Sequence, residues 1–289
     1  QIGETGIIPN TTKIFIVKTN YSGQLIWKKE FGNNGINLGN SAIETPSGYI
    51  ICGAINGNSV LIKLNKTNGN QEFFETIDNG GNDAYEHLIQ TPNGILAVGY
   101  NNAEDHTNTF FTEGNGYITF LDCNGIKIYG ISINNYLAQA YRIGYYNNKY
   151  YIAGLTENAE DYGLIKIDII GNIIWHKTYG GNSSDHCFGM DIGENGLIFL
   201  TGHTLSGSEN WDTYTMKIDT AGNKIWEHKV GNPRGFEPKF IHDEAWDIKS
   251  TTDGGCIVVA GTGDEYRRYK RRCGNEGDNS NTWHIYLIK

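Results

Sequence analysis

A glycine followed four residues later by an aromatic recurs five times along this chain, at Gly23/Trp27, Gly69/Phe73, Gly125/Tyr129, Gly171/Trp175 and Gly222/Trp226. The aromatic returns after 46, 56, 46 and 51 residues, the signature of a repeat architecture. Upstream of each glycine lies a short apolar run, ending in Lys18, Lys63, Lys166 or Lys217, with Phe120 standing once for the lysine. A last run of this kind closes the sequence at Lys289. A second family of apolar runs ends in glycine, at Gly53, Gly99, Gly154, Gly202 and Gly261. Each is preceded by a segment such as AYEHLIQTPNG or EAWDIKSTTDGG, whose closing Thr-Pro-Asn-Gly or Thr-Asp-Gly-Gly chemistry is that of a tight turn.

Each repeat therefore holds four short strands, a to d, joined a–b and c–d by turns rich in Gly, Asn and Asp. One four-stranded sheet cannot bury both of its faces, and packing sheets radially solves that problem. A period of this length with four strands predicts an all-β fold, a β-propeller of four-stranded antiparallel blades, over a single domain spanning 1–289. The strand-d aromatic is read as packing between blades. The count is five a, five b, six c and five d strands. It predicts five blades if strands c and d of residues 12–31 complete the sheet begun by 244–262, which leaves 283–289 surplus. Six or more blades follow if the chain is a fragment.

The pattern yLIKxDxxGNxxWxKxxGG…DxAxxIxxTxDGGyIIxG resembles the glycine-rich propeller repeats of secreted and surface bacterial proteins, and covers residues 12–289. That resemblance implies a secreted or cell-surface protein. The WD and kelch signatures are missing. The sialidase Asp-box is missing too, because the aromatic here lies seven residues after the acid, as from Asp168 to Trp175.

Composition bounds the rest. A helical bundle is disfavoured by 38 glycines and 18 tyrosines, and the 38% apolar content can form a substantial core. The formal charge of −9 opposes bulk binding to nucleic acid or anionic membrane, and no apolar run is long enough to span a bilayer. The chain begins at Gln1, which reads as processing or a fragment. Five cysteines cannot all pair internally; Cys52 and Cys256 sit in apolar runs and read as buried thiols, and no CxxC occurs.

Topology sorts the loops by face. The a–b and c–d turns share one face and are short. The b–c loops and d–a links share the other, which carries every long insertion: 101–114, 203–212, 231–244 and 263–282. Function concentrates on loops mounted on a rigid scaffold, so this face is the site candidate. Four of six arginines fall in RRYKRR, as Arg267, Arg268, Arg271 and Arg272, with Tyr269 and Lys270 between them and Arg234 in the preceding link. Arg142 belongs to a strand a, which should line the central channel. Guanidinium forks in one loop suit carboxylates, sulfates or phosphates, although a solvated loop pairing with Asp264 and Glu265 accounts for them as well. His106, His186, His203 and His242 map to the same face, and His87 to strand a; His176, His228 and His284 fall on outer strands. The edges Asp185-His186 and His242-Asp243 could hold a divalent metal of unknown identity, though aspartate at a strand's start also satisfies turn amides, and no cofactor is required.

Three functions fit. The first and preferred is a non-catalytic module that holds an acidic glycan (uronate or sulfated) or an acidic protein surface through Arg234, Arg267, Arg268, Tyr269, Lys270, Arg271, Arg272 and His186. The second is a polysaccharide lyase acting by β-elimination. There arginine neutralises the uronate, and His203, His242 or Tyr266 moves the proton. The third is a structural repeat of a surface layer or fibre, with the unmatched C-terminal strand pairing between subunits. A glycosidase is disfavoured, since spacing cannot show a facing carboxylate pair among Glu104, Asp105, Glu209, Asp212 and Glu244.

Overall fold

The computed structural model describes residues 1–7, 11–103, 114–157, 160–208, 210–231, 241–264 and 283–289. They form six antiparallel sheets. The first holds β1 (Ile2–Ile7), β2 (Thr11–Thr19) and β3 (Leu25–Phe31). The second holds β4 (Asn37–Thr45), β5 (Gly48–Ile55), β6 (Asn58–Leu64) and β7 (Gln71–Ile77). The third holds β8 (Asn82–Thr91), β9 (Gly94–Ala103), β10 (Asn115–Leu121) and β11 (Lys127–Ser132). The fourth holds β12 (Gln139–Tyr146), β13 (Lys149–Leu155), β14 (Tyr162–Ile167) and β15 (Ile173–Tyr179). The fifth holds β16 (Asp185–Ile192), β17 (Ile198–Thr204), β18 (Asp212–Ile218) and β19 (Lys224–Val230). The sixth holds β20 (Ile241–Ser250), β21 (Cys256–Asp264) and β22 (Trp283–Ile288).

Six sheets correct the expectation of five. Residues 2–7 carry none of the repeat's marks, yet they pair with β2 from Ile2↔Ile16 to Ile7↔Thr11. They occupy the edge of β2 that the sheet of 244–262 was expected to use. β21 pairs instead with β22, from Val258↔Ile288 to Gly263↔Trp283, so the C-terminal strand is not surplus.

Internal contacts divide the chain into two compact units. Unit 1 is essentially residues 1–143, and unit 2 essentially 144–289, with short segments exchanged near 157 and at 169–172. In unit 1, one core joins the first two sheets through Ile14, Ile16, Ile51, Val60 and Ile62. Another joins the second and third through Ile50, Leu61, Tyr85, Leu88 and Leu121. In unit 2, Tyr151, Tyr162 and Leu164 meet Cys187, Leu200 and Met216, and Phe199 meets Ala245 and Val258. The middle strands are buried on both faces, as in β6, whereas outer strands such as β3 and β7 alternate with solvent.

The repeat's signature residues meet at these joints. Trp27 packs edge-on against Tyr49, with ring centroids 6.0 Å apart, and its Nε1 donates to the Lys66 carbonyl at 3.3 Å. Gly69 lies against the same indole; a Cβ there would stand 2.7 Å from the ring, and its φ of +66° is left-handed. Lys18 Nζ donates to that carbonyl as well, at 2.7 Å. Unit 2 repeats the device in part: a Cβ on Gly222 would stand 3.3 Å from the Trp175 ring, and Lys166 Nζ donates to the Thr220 carbonyl at 2.9 Å. The aromatic of one sheet and the turn glycine of the next are thus a single contact.

Buried aspartates hold the link ends. Asp83 accepts from Asn79 N (2.5 Å), Asn79 Nδ2 (3.3 Å) and Asn102 N (2.9 Å), which is the turn-amide role expected of an aspartate at this position. Cys52, Cys187 and Cys256 are buried free thiols and Cys123 is an exposed one. No helix among the described residues is long and apolar enough to cross a membrane.

Candidate functional site

The strands of unit 2 bring His186, His203 and two indoles together at the end of the sheets that carries the long insertions. His186 on β16 lies directly opposite His203 on β17, and His186 Nδ1 is 3.1 Å from His203 Nε2. A β-bulge between Cys187 and Gly189 leaves Phe188 as an extra residue, and one between Ala245 and Asp247 does the same for Trp246. Bulges re-aim side chains, and these two rings sit 5.0 Å apart at an interplanar angle of 30°. Phe188 also lies 5.0 Å from the His203 ring. Trp211 closes the cluster, 4.6 Å from His186 and, edge-on, 4.6 Å from His203. Its carbonyl accepts the Asp243 amide at 2.8 Å, which anchors the loop before β18 to the start of β20.

Burial differs within the cluster and decides what each group can do. His203 is fully buried, and that burial, followed by the nearness of His186 and His242, holds its pKa well below the ordinary imidazole range. It is a neutral ring that donates or accepts within the pair. His242, Trp211 and Trp246 are only half-buried. His242 Nδ1 stands 3.9 Å from Glu244 Oε1. Carboxylates crowd the same end. Asp185 is fully buried, and its Oδ2 accepts from Gly181 N at 2.7 Å and Ser206 Oγ at 2.9 Å. Burial raises the Asp212 carboxyl, against a hydrogen bond from Ser208 and with help from the like charge of Asp243. The arrangement offers indole faces, imidazole edges and carboxylate acceptors, the set that a polyhydroxylated ring engages. No group of three or more His, Cys, Asp or Glu among the described residues is placed to hold a metal ion.

Of the residues singled out from sequence, His186, His203 and His242 are brought together. Arg234, Tyr266, Arg267, Arg268, Tyr269, Lys270, Arg271 and Arg272 lie outside the described residues, as do His106, Glu104, Asp105 and Glu209. Phe188, Trp211 and Trp246 were missed. Two of them had a signal in the repeat: aligned on Asn37, Asp83, Gln139, Asp185 and Asp243, the third residue onward is Asn40, Glu86, Arg142, Phe188 and Trp246. At this strand-a position residue type changes completely from copy to copy.

At that position unit 1 presents polar groups. Bulges at Gly39/Ser41 and Tyr85/His87 leave Asn40 and Glu86 as the extra residues. Solvent reaches part of Glu86, yet protein crowds its carboxyl, and depth governs the charge. Desolvation drives its pKa up to about 7, against the pull of Arg142 and with a push from Glu4. The native protein therefore holds this proton more tightly than the unfolded chain between about pH 4.5 and 7. Stability attributable to Glu86 is intact below that window and falls as pH rises through it. Glu86→Gln is expected to stabilise the protein at pH 8 by on the order of 1–3 kcal/mol, discounted for the water that reaches the group, and to change nothing at pH 4. Denaturant titrations at the two pH values check this; equal effects at both would refute it.

A cavity of about 370 Å³ opens at the opposite end of unit 2, lined by Glu194, Asn195, Phe199, Lys249, Ser250 and Thr251. Asp191 engages two of these, at 2.6 Å from Lys249 Nζ and 2.7 Å from Ser250 N, so its polar wall is largely satisfied from within.

No family model and no curated sequence matches the chain. Solved structures do match by shape. The Dos1 propeller aligns over 97% of this chain and 67% of its own, with a TM-score of 0.53 at 11% identity. A proposed 6-phosphogluconolactonase from Bacteroides uniformis aligns over 98% and 84%, with a TM-score of 0.56 at 11% identity. A subtype N10 neuraminidase-like protein of the isolate A/little yellow-shouldered bat/Guatemala/060/2010 aligns over 88% and 83%, with a TM-score of 0.50 at 10% identity. At such identities the likeness speaks for fold alone. The fold is a β-propeller, and the six sheets are its blades.

Proposed function

We propose that this β-propeller is a non-catalytic module that binds an anionic polysaccharide, uronate-bearing or sulfated, outside the cell. The observation that carries the reading is the pair of half-buried indoles, Trp211 and Trp246, around the His186/His203 pair at the long-insertion end of unit 2. Indole faces stack on the C–H face of a sugar ring, while His242 and the neighbouring carboxylates take its hydroxyls. The anionic part of the proposal rests on sequence, in Arg234 and the RRYKRR stretch. Lyase chemistry is the second reading; the burial of neutral His203 removes one of its candidate bases, since a general base must reach the proton it takes, and leaves His242 and Tyr266.

Affinity electrophoresis through heparin, alginate and a neutral glucan tests this. Trp211→Ala and Trp246→Ala are expected to weaken retention roughly tenfold each on the glycan that binds, the effect of losing one stacking face. Replacing Arg267, Arg268, Arg271 and Arg272 together by alanine should abolish the preference for charged polymers. Unchanged mobility of both tryptophan variants would overturn the site. Incubation with uronate polymers is expected to give no rise in absorbance near roughly 235 nm, where the unsaturated uronate left by elimination absorbs; a steady rise would install the lyase instead.

A further inference from the structure

We propose that Arg142, Glu86 and His87, held at one level on neighbouring strands of unit 1, form a binding site for a single oxyanion group, a carboxylate or sulfate, which opens when Glu86 is protonated. This site shares no residue with the indole and imidazole cluster of unit 2.

Hydrogen bonds between strands set the level. Asn40 Nδ2, at the bulge of β4, donates to the Tyr85 carbonyl of β8 at 3.0 Å. The Ile143 amide of β12 donates to His87 Nδ1 of β8 at 3.3 Å. Glu86 lies between Tyr85 and His87, and Arg142 immediately precedes Ile143, so both are fixed where β8 meets β12. The Arg142 guanidinium is held in place by one of its nitrogens, which donates to the Tyr141 carbonyl at 2.9 Å.

The chemistry of the cluster then follows from which groups carry protons. His87 accepts at Nδ1, so its neutral ring bears hydrogen on Nε2 and donates there. Burial, reinforced by the Arg142 charge, holds its pKa down to about 3, so it stays neutral. Among the described residues, the groups that face Glu86 are Arg142, Tyr100, Tyr141, Cys52 and Glu4, and His87 is its neighbour on β8, facing Arg142. Burial raises both phenols and the thiol, which are therefore uncharged, and Glu4 directs an oxygen at the Gly39 amide, 3.1 Å away. With Glu86 protonated, the carboxylic acid, the imidazole N–H and the guanidinium are all donors around one fixed positive charge, a setting suited to an oxyanion. Once Glu86 ionises it becomes an anion competing for Arg142. Ligand binding and loss of the Glu86 proton therefore oppose each other.

The test uses the full chain and two separate probes, glucuronate monosaccharide and inorganic sulfate, titrated by calorimetry at pH 6 and pH 8.5. With the Glu86 carboxyl titrating at about 7, wild-type affinity is expected to fall about thirtyfold between these values for whichever probe binds. Glu86→Gln, which fixes a neutral side chain of the same shape, should bind equally at both. Arg142→Gln should lose at least tenfold at pH 6 with an unchanged far-ultraviolet spectrum, and Trp211→Ala should leave binding intact. Preference between the probes identifies the anion. Absence of binding by both probes at pH 6, a pH response retained in Glu86→Gln, or undiminished binding by a folded Arg142→Gln would each overturn the proposal. The Trp211→Ala arm keeps its failure distinct from that of the glycan site.

Discussion

Gly202→Ala is expected to destabilise the protein by at least about 3 kcal/mol, among the largest effects of any single methyl group in this chain. A Cβ at position 202 would lie 1.8 Å from the His186 carbonyl oxygen, on the strand paired directly with it. No rotamer relieves that overlap, because the obstacle is backbone held in a ladder. The same approach recurs in unit 1, where a Cβ on Gly53 would stand 1.8 Å from the Leu38 carbonyl oxygen and one on Gly99 would stand 2.0 Å from that of Ala84. All three glycines oppose the residues just before a strand-a bulge, so they are the space into which the bulge closes. Thermal melts of Gly53→Ala, Gly99→Ala and Gly202→Ala should fall together. Gly3→Ala, with no atom inside 4 Å and an ordinary φ, should stay within about 0.5 kcal/mol of the parent. A mild Gly202→Ala phenotype would mean that the two strands sit further apart than described.

The second large effect is expected at Asp83, which is buried and uses both carboxylate oxygens as acceptors. Asp83→Ala removes the acceptor of the Asn79 and Asn102 amides; both of those residues are exposed, so water offsets part of the loss, and the cost is about 2–3 kcal/mol for two charge-assisted bonds. The repeat-equivalent Asp185 behaves differently. Its Oδ2 takes two bonds, while Oδ1 is buried without a hydrogen-bond partner among the described residues. An amide group can therefore replace Asp185 with its oxygen on the working side, whereas at Asp83 the amide nitrogen must face a donor. Asp83→Asn should accordingly cost more than Asp185→Asn, by about 1–2 kcal/mol in urea titrations. The reverse order would refute this account of the link ends.

Much of the fold was legible because the repeat encodes its own joints. Turn glycines, the aromatic four residues on and the lysine before them announce where one sheet locks to the next. The sixth sheet was hidden because β1, IGETGI, carries none of the repeat's signature residues, although it pairs with β2 and packs Ile2 on the core of the first two sheets. The strand-end glycines were visible as a pattern, but their reason, a bulge on the opposite strand, is a register event with no composition of its own. The same blindness covered Phe188 and Trp246, since an inserted residue breaks the period-two reading that marks a strand. The imidazoles were found because four of eight histidines map to one end of the sheets, which is a matter of topology and not of register.

The contact between Trp27 and Gly69 spans 42 positions, and that between Trp175 and Gly222 spans 47, so each falls just short of one period. These two joints therefore each take one half from each of two successive copies, and neither lies complete within one copy. A chain lengthened or shortened by one whole period, cut at any point within it, would restore every such contact it interrupts. Blade number in a molecule built this way is open to change by unequal exchange within its gene, while the contacts that hold neighbouring blades together pass through unaltered.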